Sequence, residues 1–90
     1  MNESKFPLGQ LVSTPAAMEA VNSGDMRNCL ARHAAADWGD LCGEDRNENE
    51  MALRSGTRIF SVYHDRKGVK FWIITEGDRS STCILLPSDY

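Results

Sequence analysis

Long apolar runs are missing from this 90-residue sequence, and none approaches the roughly 18 residues that a membrane-spanning helix needs. The start, MNESKFPLGQL, has neither the basic region nor the apolar stretch of a secretory signal. Cysteine is scarce: Cys29, Cys42 and Cys83 are an odd set without a CxxC, so they read as free thiols of a cytoplasmic protein. No GxGxxG, phosphate-binding loop, HExxH or Ser-His-Asp order is present, which removes the common nucleotide, metalloprotease and hydrolase signatures. A basic excess is also absent. The net charge of −3 argues against general affinity for nucleic acid.

What is present is ordinary in bulk and uneven in distribution. Ninety residues, 41% apolar and 26% charged, make one small globular domain, 1–90. A chain of this size buries only about 60% of its unfolded surface, so its stability is modest. From Asp37 to Glu50 there are six acids and one base, a local charge of −5, while the remainder carries seven acids and nine bases.

The strongest structural signal is Ile59–Pro87. IFSVYH and VKFWIIT flank the turn Asp65-Arg66-Lys67-Gly68, and TCILLP follows a polar loop, which predicts a three-stranded antiparallel meander. Val69, Phe71, Ile73 and Thr75 share one face of its central strand, with Lys70, Trp72, Ile74 and Glu76 opposite. Gly9–Ser13 is a candidate fourth, edge strand, and residues 1–6 are expected to be loose. Thr14-Pro15 starts a short helix whose buried stripe is Ala17, Met18 and Val21. A second helix begins near Asp25, a candidate N-cap, and buries Met26, Cys29, Leu30, His33 and Ala34. DWGDL (37–41) reads as a compact turn pinned by Trp38 and Leu41. Glu44–Ser55 is a third helix, with acids in its first turns, Arg54 in its last and Gly56 as C′ residue. Met51 and Leu53 are its expected anchors, and Glu50 and Arg54 are spaced for an ion pair. The predicted fold class is α+β: two to three short helices on one face of a three- to four-stranded antiparallel sheet.

Candidate chemistry is sparse. Cys29 and His33 share a helical face, but a nucleophile–base pair needs an accessible thiolate, and theirs is the buried stripe. Cys29, His33, Cys42 and His64 lack the register of a metal site. No catalytic residue, metal or cofactor is expected. The acids Asp37, Asp40, Glu44, Asp45, Glu48 and Glu50 read first as a solvated face, next as a recognition surface for a protein that normally grips phosphates, and last as a source of a carboxylate pair for acid–base work. Arg58, Arg66, Lys67 and Lys70 form an alternative basic patch, expected at one end of the hairpin. The loop Glu76–Ser81 is either an ordinary connection, in which Asp78 and Ser80 satisfy local backbone donors, or a network pairing Arg79 with a helix acid.

DWGDL, an asparagine shortly after it (Asn47 or Asn49), SGTRIFSVY, FWIITEGDRSSTCILLP and an aromatic at Tyr90 carry a resemblance. From about Phe6 onward the chain resembles small proteins of bacterial plasmids, phages and integrative elements, some labelled restriction–modification subunits. Ninety residues without a cofactor-binding glycine motif are too few for a methyltransferase fold. The setting that the resemblance implies is the cytoplasm of a bacterial host. With that setting, the lopsided charge and the exposed third helix suggest a non-enzymatic protein that binds a defence complex, of anti-CRISPR or anti-restriction type, and blocks nucleic-acid access through the acidic surface. The alternative is a small accessory protein that dimerises through its sheet and binds nucleic acid through the basic patch.

Overall fold

The computed structural model describes residues 4–90. The elements are β1 (Gln10–Ser13), α1 (Pro15–Ala20), α2 (Ser23–Ala34), α3 (Gly43–Ser55), β2 (Ile59–His64), β3 (Lys70–Thr75) and β4 (Ser81–Leu85), then one 3-10 turn, Pro87–Asp89. The class is α+β, with the helices packed on a four-stranded sheet of order β1-β4-β3-β2. The expected meander forms, with Ile59 opposite Thr75 and Ile73 opposite Ile84. The fourth strand forms too, but β1 lies parallel to β4, so the sheet is mixed rather than wholly antiparallel. Tight turns dictate antiparallel neighbours only between strands they join, and β1 reaches β4 through the whole helical layer.

Local chemistry explains most boundaries. Thr14 Oγ1 accepts the Ala17 N–H at 3.1 Å and Pro15 occupies the first turn of α1. The cap of α2 is Asn22 rather than Asp25: its Oδ1 accepts the Asp25 N–H at 3.0 Å, and the helix therefore starts earlier than expected. Asp25 is thereby left free to grip Arg66 with both carboxylate oxygens. Gly56, at φ 75°, closes α3 in the left-handed conformation that glycine adopts without penalty.

Two clusters make the core. Ala17 of α1, Val21 at its C-terminal cap and Cys29 of α2 pack on Tyr63, Phe71, Ile73 and Ile84, with Met26 and Leu30 partly buried beside them. Phe6, Trp38, Leu41, Ala52, Ile59 and Val62 form the second, toward β2, with Leu53, Phe60 and Trp72 against it. Met18 is 64% exposed and leaves the stripe of α1 to Ala17 and Val21. The expected looseness of 1–6 does not extend to Phe6, whose ring is buried against His33 and Trp38; residues 1–3 lie outside the described residues.

The outer edge of β2 is covered, and this decides how α3 sits. The backbone of Val62 pairs with the 37–41 turn: the Asp40 N–H donates to Val62 O at 2.8 Å, and the Val62 N–H donates to Trp38 O at 3.3 Å. At Gly39, φ is 72° and a Cβ would stand 2.0 Å from Val62 O, so only glycine fits. One repeat along the strand, the Asn49 amide takes over: its Nδ2 donates to Phe60 O at 2.6 Å and its Oδ1 accepts the Phe60 N–H at 3.1 Å. The buried contacts of α3 are therefore Asn49 and Ala52, with Leu53 half-buried. Met51, an expected anchor, is 67% exposed because this rotation of the helix serves the strand edge.

Candidate functional site

The six acids of the 37–50 segment separate into two groups. Asp37 chelates Arg32, with Nε at 2.8 Å and Nη2 at 3.2 Å, and the guanidinium holds its carboxyl below the usual range. Asp40 accepts from His64 Nδ1 at 2.7 Å, and Glu50 accepts from Trp38 Nε1 at 3.0 Å. The expected Glu50–Arg54 ion pair is not among those of the described residues, because Glu50 is turned to the indole. Glu44, Asp45 and Glu48 are different: all three are exposed on α3, and none has a cation within ion-pair distance among the described residues. Asp45 takes only the Cys42 thiol, at 3.2 Å.

These three residues line an open cleft of about 380 Å³. Asn49, the sheet residues Phe60, Trp72 and Ile74, and Arg58 and Tyr90 also line it. Its aromatic rings meet edge to face, Phe60 on Trp72 at 5.1 Å and Trp72 on Tyr90 at 5.6 Å between centroids. Arg58 donates to the Tyr90 hydroxyl at 3.0 Å and lies over its ring. The Trp72 indole N–H is buried and has no hydrogen-bond partner, alone in this respect among the described residues. The cleft owes its shape to Asn49, which ties α3 to Phe60.

The basic patch assembles only in part, with Arg66, Lys67 and Lys70 at the β2–β3 turn and Arg58 away from them. Arg58 precedes β2 and Arg66 and Lys67 follow it, so the strand separates them by about 20 Å. Arg66 is further neutralised by Asp25, leaving Lys67 and Lys70 exposed near the turn.

His33 is fully buried in a chain of hydroxyls. Thr82 Oγ1 donates to Leu8 O at 2.7 Å, so Thr75 Oγ1 must donate to Thr82 at 2.8 Å and accept from His33 Nε2 at 2.9 Å. The imidazole is thus the Nε2–H tautomer, and its Nδ1 accepts from Ser61 Oγ. Burial lowers the pKa of His33 to about 4 and pushes the Cys29 thiol up, away from the accessible thiolate that a nucleophile needs. Among the described residues no three His, Cys, Asp or Glu side chains are arranged to hold a metal, and no helix is long and apolar enough to cross a membrane.

The Glu76–Ser81 loop is a structural clamp. Asp78 Oδ1 accepts the Ser80 N–H at 3.0 Å. Arg79, at φ 62°, donates to the carbonyls of Thr57, Glu76, Gly77 and Ala52, so its partners are backbone oxygens, including one from the last turn of α3, and not a helix acid. A scan of family models, a search of curated proteins and a search of solved structures each give no match.

Proposed function

We propose that this is a non-enzymatic binding protein of a mobile element that inhibits a bacterial defence complex, of anti-CRISPR or anti-restriction type. The setting comes from the sequence resemblance. The observation that carries the reading is the triad Glu44, Asp45 and Glu48: exposed, on one helix, and without ion-pair partners among the described residues. Carboxylates so placed complement the basic groove with which a nuclease or guide complex holds phosphates. Their occupation of that groove prevents DNA from loading. Asp37, Asp40 and Glu50, already engaged by Arg32, His64 and Trp38, orient the segment and add only to its field.

The test is a DNA-loading assay on a panel of purified guide–nuclease and restriction complexes. The wild-type chain is expected to block loading on one of them, and E44K/D45K/E48K to weaken that block by roughly 100-fold, in line with the loss of close interfacial charge pairs. All three positions are exposed, so the variant is expected to keep its fold. Unchanged inhibition by the triple variant, or no effect of the wild type on any complex, overturns the reading.

A further inference from the structure

The cleft beside α3 has a composition that selects one kind of occupant. Three carboxylates without ion-pair partners and one guanidinium line it, which leaves the lining net negative by two. A phosphate or a nucleic-acid backbone is repelled from such a lining. Metal is not favoured either, because no three ligating side chains converge among the described residues. Phe60, Trp72 and Tyr90 line the same cleft and meet edge to face; aromatic rings attract a cation, and the Tyr90 ring is already covered by Arg58.

The same molecule contains a filled version of this arrangement. Arg32 lies with its guanidinium carbon 5.0 Å from the centre of the Tyr63 ring while both its Nε and Nη2 bond the Asp37 carboxylate. A cation–π contact and two-point carboxylate bonding are satisfied together there. In the cleft, Arg58 covers Tyr90 and bonds its hydroxyl, but it makes no ion pair with Glu44, Asp45 or Glu48. The carboxylates and the rings of Phe60 and Trp72 are left for a cation from outside.

We infer that the Glu44/Asp45/Glu48–Phe60/Trp72 cleft receives an arginine side chain of the partner protein. The inference rests on the reading of α3 as the partner surface and specifies what that surface grips. Arginine fits better than lysine because a planar guanidinium stacks on a ring while it forms paired bonds to a carboxylate, whereas an ammonium offers only a point charge. A cleft of about 380 Å³ admits one such side chain and its adjoining backbone.

An NMR titration of the whole chain tests this with blocked peptides, acetyl-Gly-Arg-Gly-Arg-Gly-amide against the same peptide with lysine. The chain has two tryptophans, so two indole N–H signals report. Trp72 lines the cleft, and Trp38, held by Glu50, is the internal reference. The arginine peptide is expected to move the Trp72 signal saturably and roughly ten-fold more tightly than the lysine peptide. E44Q/D45N/E48Q, which removes charge at exposed positions, is expected to weaken that binding at least about ten-fold. A stationary Trp72 signal, equal binding of the lysine peptide or unchanged binding by the triple variant overturns the assignment. Displacement of the arginine peptide by a short DNA oligonucleotide bound at Trp72 also overturns it. If the peptide fails while E44K/D45K/E48K still abolishes inhibition, the cleft assignment falls and the inhibitory reading stands. If the peptide binds as expected while no defence complex is inhibited, the reverse holds.

Discussion

His33 shows how one residue is half legible. Its spacing with Cys29 placed it on a buried helical face, as observed, but its partners Ser61, Thr75 and Thr82 arrive from strands far along the chain. No local pattern announces a hydroxyl relay, and three small polar residues inside strands read as ordinary β residues. The relay accommodates only a neutral ring, since Nδ1 must accept while Nε2 donates. The pKa of about 4 in the folded state lies below the ordinary 6.5, so the unfolded chain binds a proton first as the solution is acidified. The contribution of His33 is therefore intact above pH 6.5 and is lost as pH falls toward 4, in total about 3 kcal/mol. Urea unfolding at pH 7 and pH 4.5 is expected to show most of this loss, and His33→Gln to be weaker at pH 7 but flatter across the window. An equally steep pH dependence in His33→Gln would sink the assignment to this residue.

Among the elements, punctuation was more legible than packing. Thr14-Pro15, the Asp65–Gly68 turn, Gly56 and Pro87 mark their boundaries through capping, φ preference or a missing N–H, all of which are local. The burial of α3 was not, because its anchor is a polar residue chosen by a strand edge, while the apolar residues of the helix pointed to Met51, which is exposed, and to Leu53, which is half-buried. Asn49 matters because β2 is an outer strand, and outer strands with open N–H and C=O groups recruit other chains. Asn49→Ala leaves the Phe60 N–H and C=O without their partner and is expected to cost about 2–3 kcal/mol. Asn49→Asp is expected to be no better, since a carboxylate cannot donate to Phe60 O. Hydrogen exchange read amide by amide checks this, with the Phe60 N–H predicted to lose protection in Asn49→Ala before β3 does. Unchanged Phe60 protection would show that the edge is held by the 37–41 turn alone.

At the scale of the whole molecule, the acidic segment was visible in composition, while its division into engaged and unengaged carboxylates required the fold to bring Arg32 and His64 alongside. The separation of Arg58 from the bases at the turn likewise follows from strand length. The chain is accordingly expected not to bind duplex DNA: a gel shift over a series of salt concentrations should show none. Sharp, salt-dependent retardation would favour the accessory nucleic-acid-binding reading instead. The parallel pairing of β1 with β4 has a kinetic consequence. The Thr82 hydroxyl reaches Leu8 O across 74 residues of chain, and Gln10 and Thr14 donate to Ser80 O and Ile84 O over similar separations. Closing so long a loop postpones the reward of these bonds until its entropy has been met, and such topologies fold slowly. During synthesis the β1 segment must wait, with its ladder groups open to water, until Ser81–Leu85 has left the ribosome.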